Sequence, residues 1–130
     1  MYIRNYTPKD FKMLSSWWAD HNEPGPIPEM LPEESTFVLE DRGTPVMSVS
    51  VYLTNSCIGY VENFIKCSGY DNKDAAVILN NHIQDFAKSR GVKIHISLSY
   101  REQLSKRYQE LGYMNTLNNL SGFVKHLEVI

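Results

Sequence analysis

The sequence predicts a mixed α/β (α+β) fold, in which an antiparallel meander is followed by a parallel β-α-β crossover. Three strand patterns separated by short turns predict the meander over residues 35–66. A strand, a long helix and a second strand over residues 58–98 predict the crossover, because such a connection makes two strands of one sheet parallel. The 130 residues fit one domain, residues 1–130, that is large enough to bury a core.

The first helix is predicted from its N-terminal signals, after a strand candidate at residues 2–5. Thr7 suits the N-cap, Pro8 suits the first helical position, and Asp10 suits the positive end of the helix dipole. These signals predict a helix that runs to about Ala19.

The first helix is predicted to bury one apolar face. Phe11, Leu14 and Trp18 have the spacing i, i+3 and i+7 and share that face, while Trp17 lies near its edge. Prolines and glycine then interrupt residues 20–34, which are predicted to form a long loop. A long loop beside aromatic residues is often functional.

The meander consists of three predicted strands. They cover residues 35–40, 46–53 and 58–66, and turn-forming residues separate them at 41–45 and 54–56. The middle strand alternates apolar residues with small polar ones, which predicts that one of its faces is solvated.

The crossover helix is predicted to open at residues 71–74 and to end at Gly91, after basic residues in its last turn. A strand at 92–98, a helix at about 101–111 and a final strand at 122–127 complete the prediction. The predicted order is therefore β–α–loop–β–β–β–α–β–α–β.

Composition excludes several classes of function. A net charge of −2 and a sequence pI near 6.1 give no electrostatic footprint for nucleic acid. No apolar run approaches a membrane span and no signal peptide is recognisable, so a cytoplasmic protein is expected. Cys57 and Cys67 form no CxxC pair and are predicted to be reduced thiols. The four histidines lack the spacing of metal ligands, so no metal site is predicted.

The stretch from Tyr60 to Tyr113 carries a family resemblance. It reads as strand, loop, helix, glycine stop, strand and helix, and closes on the segment Arg-Tyr-Gln-Glu-Leu-Gly-Tyr at 107–113. This order resembles the cofactor half of the GNAT acyltransferases (the Gcn5-related N-acetyltransferase family). The tryptophan-rich first helix and the proline-rich loop look like those of small, phage-type members. The resemblance implies a GNAT-like acyl-CoA N-acyltransferase fold, acetyl-CoA as cofactor, and an amine acceptor on a small molecule or a protein.

The resemblance also implies where acetyl-CoA would bind. In the family, the backbone of the strand segment matched by residues 64–66 bonds the pantetheine arm, and the following helix start holds the pyrophosphate. In the family's phosphate-loop motif, Asp71 takes the Arg/Gln position, Asp74 the first glycine and Ala76 the second, and only Ala76 matches. The alternative interpretation is that Asp71 is a helix N-cap and Asp74 a first-turn acid. The implied cofactor-binding residues are Phe64, Ile65, Lys66, Asp71, Lys73, Asp74, Ala75 and Ala76.

Two residues are the candidates for catalysis. Tyr108 matches the family tyrosine that protonates the departing thiolate; the alternative is a buried residue of a helix stripe. Glu62, on the third meander strand, is the candidate general base, and needs a raised pKa or a bridging water to serve. The alternative for Glu62 is a polar residue on a cleft-facing or solvent-facing side.

The acceptor amine is expected beside the proline-rich loop. Trp17, Trp18 and His21 are the candidate substrate-binding residues, and His21 is the second candidate base. The sequence thus predicts an acetyl-CoA-dependent N-acetyltransferase that acts on a primary amine, as a monomer or homodimer. The alternative is a GNAT-fold binding or inhibitor protein with impaired catalysis, encoded by a phage and directed at a host protein.

Overall fold

A computed structural model describes residues 1–98, 102–114, 125 and 127 of the chain. In this part of the chain, eight strands and helices follow one another in the predicted order. They are β1 (Tyr2–Asn5), α1 (Phe11–Asp20), β2 (Thr36–Asp41), β3 (Thr44–Leu53), β4 (Ile58–Lys66), α2 (Lys73–Ser89), β5 (Ile94–Ile96) and α3 (Glu102–Glu110). The final predicted strand at 122–127 lies outside the described residues.

The described strands form one mixed sheet in the order β1-β2-β3-β4-β5. Neighbours from β1 to β4 are antiparallel, and β4 pairs with β5 in parallel after the α2 crossover. The predicted meander and crossover are therefore confirmed. The contacts group into two compact units, Met1–Leu98 and Ser99–Ile130, and the single domain stays a prediction.

The start of α1 follows the predicted signals. Thr7 is the extended N-cap of a 3-10 turn, Pro8–Asp10, that leads directly into α1. The Asp10 carboxylate accepts a hydrogen bond from the Thr7 amide at 2.9 Å and pairs with Arg4 at 2.8 Å. Because Arg4 donates to this carboxylate, the pKa of Asp10 lies below its ordinary value.

The start of α2 corrects the sequence analysis by one residue. The N-cap is Asn72 and not Asp71, since Asn72 has extended backbone angles (φ −124°, ψ 106°). Its side-chain Oδ1 accepts a hydrogen bond from the Asp74 amide at 3.0 Å. Asp74 lies in the first turn of the helix, as predicted.

The prediction of a solvated face on β3 is wrong. Ser48 and Ser50 are 1% and 0% exposed, because the sheet carries helices on both faces. The α1 face contains Val38 and Ile65 in a cluster with α1 side chains, whereas Phe37 contacts rings of α2 on the opposite face. The buried hydroxyls are hydrogen-bonded, as burial requires: Ser48 to the Phe37 carbonyl at 2.9 Å, and Ser50 to Thr36 at 2.8 Å.

The two tryptophans of α1 exchange the positions predicted from periodicity. Trp17 is 7% exposed and packs with Leu14 in the core, whereas Trp18 packs against the same cluster and is only partly buried. Trp18 also lies against Gly25 of the long loop, where an added Cβ would be 2.7 Å from the indole Cγ. Trp18 lies at the rim of the core because it contacts the returning loop. Helical periodicity carries no information about that contact.

Candidate functional site

A β-bulge in β4 forms the centre of the candidate site. Ser50 of β3 pairs with Glu62, but Ser48 pairs with Ile65, so β4 contains one extra residue over this interval. Asn63 lies in the bulge with φ 58°, in the left-handed region that asparagine tolerates better than most residues. A bulge bends its strand and redirects the side chains around it.

The bulge follows the point at which β4 and β5 stop pairing. The parallel ladder joins Ile58 to Ile94 and ends at Tyr60 and Ile96. Within the described chain, residues 61–66 of β4 therefore have no partner on β5. This is the edge whose backbone, by resemblance, would bond the pantetheine arm, and it includes the predicted segment 64–66.

Glu62 lies immediately before the bulge, on the face of the sheet that carries α1. Its cross-strand partner is Ser50, and directly opposed residues of two strands point to the same face. Glu62 is half-buried, and burial raises the pKa of its carboxyl group. In the described part of the chain this carboxylate has no hydrogen bond and no ion pair. A half-buried carboxylate without a partner is available to accept a proton from a ligand.

Asn63 and Tyr52 extend the site in a way that the sequence analysis missed. Asn63 Nδ2 donates to Ser50 Oγ at 3.2 Å and to the Tyr52 phenol at 2.9 Å. The Tyr52 phenol in turn donates to the Met30 carbonyl at 2.8 Å, in the proline-rich loop. Burial, together with the negative charge of nearby Glu62, raises the pKa of Tyr52. An asparagine inside a strand pattern, where the residue is depleted, was the available signal for the bulge.

His21 joins the start of the same loop to the end of β4. It caps the C-terminus of α1, and its Nε2 lies 3.0 Å from the Lys66 carbonyl oxygen. Because a carbonyl only accepts, Nε2 is the donor in this contact, and Nδ1 is the ring nitrogen that the contact does not use. Of the predicted acceptor-side residues, Trp17 is a core residue, whereas Trp18 and His21 are half-buried at the loop.

The start of α2 is exposed and acidic. Asp71, Lys73 and Asp74 are exposed, and Ala75 and Ala76 are buried at 0% and 3% exposure. Two of the amides expected to face a pyrophosphate already have acceptors. The Asp74 amide donates to the Asn72 side chain at 3.0 Å, and the Ala75 amide donates to the Asn72 carbonyl at 3.2 Å.

The segment between β4 and α2 is held against the sheet. The Tyr70 amide donates to the Cys67 carbonyl at 3.3 Å across a turn in which Gly69 has φ 82°. The Tyr70 phenol donates to Asp41 at 2.8 Å, and burial together with this carboxylate raises the pKa of Tyr70 to about 12. The phenol therefore stays protonated at neutral pH.

Tyr108 belongs to the second unit. It lies on α3, is 7% exposed, and contacts Tyr113 edge to face with the ring centroids 5.0 Å apart. Burial, and to a lesser degree Tyr108, raises the pKa of Tyr113 to about 12. Burial agrees with the helix-stripe interpretation of Tyr108 and leaves its proposed role as an acid untested.

Among the described residues, no group of three histidine, cysteine or acidic side chains is arranged to hold a metal ion. The same residues include no helix that is long and apolar enough to cross a membrane.

Solved acetyltransferase structures share this architecture. A probable acetyltransferase from methicillin-resistant Staphylococcus aureus superposes with a TM-score of 0.73 at 15% identity, covering 96% of this chain and 98% of that one. An aminoglycoside acetyltransferase from an uncultured soil metagenomic sample, in complex with sisomicin, gives 0.75 at 12% identity, covering 98% and 96%. A predicted acetyltransferase with acetyl-CoA from Clostridium acetobutylicum gives 0.69 at 14%, covering 94% and 95%.

At these identities the likeness is one of fold. No protein-family model matches the chain, and no curated protein matches its sequence. The class that the structure defines is therefore the GNAT acetyltransferase fold, as the order of elements predicted.

Proposed function

We propose that the chain is an acetyl-CoA-dependent N-acetyltransferase that acts on a primary amine by direct attack on the thioester. The observation that carries this proposal is Glu62, a half-buried carboxylate of raised pKa beside the β4 bulge, for which the described residues provide no hydrogen bond or ion pair. Glu62 is half-buried and its oxygens reach solvent, so this carboxylate is open to a ligand. In an acetyltransferase fold, the ligand that has to lose a proton is the amine.

Glu62 would act as the general base. An amine is protonated at neutral pH and must lose a proton before its nitrogen can attack the acetyl carbon. A carboxylate whose pKa is raised by burial is a better proton acceptor than an exposed one, and it also attracts the ammonium form. His21, whose Nδ1 is not used in the contact with Lys66, remains the second candidate.

Tyr108 would act as the acid. When the C–N bond forms and the C–S bond breaks, the sulfur leaves with the bonding electrons, and a phenol proton would convert it to the thiol. Acetyl-CoA supplies the activated acetyl group. The acceptor would enter beside the proline-rich loop, on the side where Trp18 is partly buried and His21 lies 3.0 Å from the Lys66 carbonyl oxygen of β4, whereas Trp17 would contribute only as part of the core.

The two halves of the proposed cofactor site differ in how well they fit acetyl-CoA. The β4 edge over 64–66 has no β5 partner in the described chain, which suits the pantetheine arm. At the helix start, Asn72 occupies the Asp74 and Ala75 amides, and Asp71 and Asp74 add negative charge. Lys73 offsets part of that charge. We therefore expect weaker binding than a glycine-rich loop gives.

Thermal-shift titration with acetyl-CoA and with free CoA tests the proposal first. A ligand that binds only the folded protein adds roughly 2.7 kcal/mol of stability at 100 times its dissociation constant. For a domain of this size we expect a saturable rise of several degrees. Thiol release is then followed with spermidine, an aminoglycoside, a lysine-containing peptide and a peptide with a free N-terminus. No shift at millimolar acetyl-CoA would refute the acetyltransferase proposal.

Two variants test the proposed roles. Removal of a general base or acid typically slows turnover by about 10² to 10⁴, so Glu62→Gln and Tyr108→Phe should each slow thiol release on this scale. Both variants should keep the affinity for acetyl-CoA. Full activity of Tyr108→Phe would support the interpretation of this residue as a core tyrosine.

The second candidate function is a GNAT-fold binding or inhibitor protein without turnover. The occupied amides at Asn72 and the acidic residues Asp71 and Asp74 favour it, because both oppose a bound pyrophosphate. A pull-down that captures one host protein, combined with no thermal shift, would support it. A cytoplasmic location and a monomeric or homodimeric state stay predictions.

A further inference from the structure

A chain of polar side chains crosses the sheet beside Glu62 and ends in the proline-rich loop. It runs from Thr36 through Ser50 and Asn63 to Tyr52, with hydrogen bonds of 2.8 to 3.2 Å. Its last bond joins the Tyr52 phenol to the Met30 carbonyl at 2.8 Å. Every step is a hydrogen bond between groups that are distant in sequence.

We propose that Tyr52 is a positioning residue that holds the Pro28–Met30 turn in place on the acceptor side of the site. The inference rests on the proposed acetyltransferase function. It adds a residue that neither the sequence analysis nor the fold assigns, and a role in selecting the acceptor amine.

The register places Tyr52 and Glu62 on one face. Ser50 opposes Glu62, and Tyr52 lies two residues from Ser50, so all three side chains point to the α1 side of the sheet. Tyr52 pairs with Tyr60 and Ser50 pairs with Glu62, so Tyr52 and Glu62 are diagonal neighbours across β3 and β4. The turn that Tyr52 holds therefore lies on the side of the sheet where Glu62 would accept a proton.

Leu31 of the core cluster anchors the end of the Pro28–Met30 turn, and the turn itself is exposed. Among the described residues, its backbone bonds are local: the Met30 amide donates to Ile27 and the Leu31 amide donates to Pro28. Ile27 and Met30 expose 51% and 45% of their surface, although the next residue, Leu31, is buried. The hydrogen bond from the Tyr52 phenol thus adds a contact with the sheet at Met30, in a turn whose own backbone bonds are local.

Asn63 gives the phenol its orientation. The phenol has one proton, and it accepts from Asn63 Nδ2 at 2.9 Å while it donates to Met30. The bulge that brings Asn63 to this position also bends β4 beside Glu62. The same residue therefore connects the geometry of the bulge to the position of the turn.

Tyr52→Phe tests the proposal, and Tyr60→Phe is the matched control. Tyr60 opposes Tyr52 on the same face of the neighbouring strand, and its phenol makes no hydrogen bond in the described chain. Amide hydrogen exchange is measured without ligand. Loss of one hydrogen bond should speed exchange at Met30 and Leu31 about fivefold in Tyr52→Phe and leave it unchanged in Tyr60→Phe. Asn63→Gly, which tolerates the positive φ, should give an intermediate increase.

The kinetic measurement distinguishes an effect on acceptor binding from an effect on acetyl-CoA binding. In Tyr52→Phe we expect the KM for whichever amine of the panel is turned over to rise about fivefold. The dissociation constant for acetyl-CoA from the thermal-shift titration should stay as in the wild type. Both results together support the proposal.

Three results would overturn it. Unchanged exchange at Met30 and Leu31 would show that the phenol does not hold the turn. Faster exchange with an unchanged acceptor KM would show that the turn has no part in the reaction. An equal loss of acetyl-CoA affinity would indicate a general structural role. If the wild type itself neither binds acetyl-CoA nor turns over any amine, the proposed function fails, and the role of Tyr52 in acceptor binding fails with it. The hydrogen-exchange result still shows whether the Tyr52 phenol holds the turn.

Discussion

Replacement of Glu62 by glutamine is expected to stabilise the protein at neutral pH. The carboxylate is half-buried and has no hydrogen bond or ion pair in the described chain, so its charge is partly removed from water without compensation. A neutral amide of the same shape avoids that penalty. Single stabilising substitutions commonly add about 0.5–2 kcal/mol. A gain near 1 kcal/mol would raise Tm by about 3–5 °C in a domain of this size.

The pH dependence distinguishes this cause from others. Burial raises the folded-state pKa of Glu62 above its ordinary value of 4.5, so between these values the folded state binds more protons than the unfolded state. The stability that Glu62 contributes to the wild type therefore falls as pH rises from 4.5 through the raised folded-state pKa. Glutamine does not titrate. The advantage of Glu62→Gln should be absent below pH 4.5 and complete above the raised pKa.

The assay is thermal unfolding of both proteins from pH 4 to pH 8 without ligand. Glu40→Gln is the matched control, because Glu40 is a half-buried glutamate of the same sheet, on β2, that accepts from Arg4 at 2.7 Å. Loss of this charged bond should destabilise the protein by about 1–3 kcal/mol at neutral pH. A lower Tm of Glu62→Gln at pH 7.5 would show that the carboxylate has a stabilising partner. An advantage that is the same at pH 4.5 and 7.5 would show that ionisation is not its cause. Either result would refute the reasoning.

Three further predictions concern the scaffold and the helix start. Asp10→Asn should lower the free energy of unfolding in urea by about 1–3 kcal/mol at pH 7, because it weakens the pairing with Arg4. Arg4 lowers the folded-state pKa of Asp10, so the stability contributed by this carboxylate is complete above its ordinary pKa of 3.8 and is lost as pH falls through the lower folded pKa. Gly25→Ala should lower Tm, because the new Cβ would lie 2.7 Å from the Trp18 ring; an unchanged Tm would show that the loop moves freely. Asn72→Gly should cost only a few tenths of a kcal/mol and tighten acetyl-CoA binding in the thermal-shift titration, because it removes the side chain that occupies a helix-start amide.

The order of elements was predictable because it depends on local signals. Turn residues, hydrophobic periodicity and the Thr7 N-cap each act within a few residues, and the structure follows them. The face of β3 that contains Ser48 and Ser50 was not predictable in this way, because its burial comes from α1, which packs across the sheet. Small polar residues fit both a solvated face and a buried face on which every hydroxyl has a partner.

The site was predictable in part. The position of Glu62 follows from the strand pattern, but the bulge beside it adds a single residue, and one residue does not change the composition of a strand. Neighbouring Asp71 and Asn72 are both good N-caps, so the sequence does not decide which of them ends the loop. The reversal of Trp17 and Trp18 depends on the loop that returns over α1.

The occupied helix start would limit the proposed binding of acetyl-CoA without preventing it. A phosphate oxygen and the Asn72 side chain compete for the same Asp74 amide, so binding there exchanges one hydrogen bond for another. Compared with a helix start whose amide is free, the phosphate therefore gains about one hydrogen bond less, or roughly fivefold in affinity. Like charge from an exposed aspartate near the phosphates adds about 1 kcal/mol, roughly another fivefold, at the dielectric constant of water. Neither term would affect a pantetheine arm bound along β4. Weakening of about 25-fold by these two terms leaves an affinity that titration can measure, whereas complete absence of binding requires a cause other than the helix start.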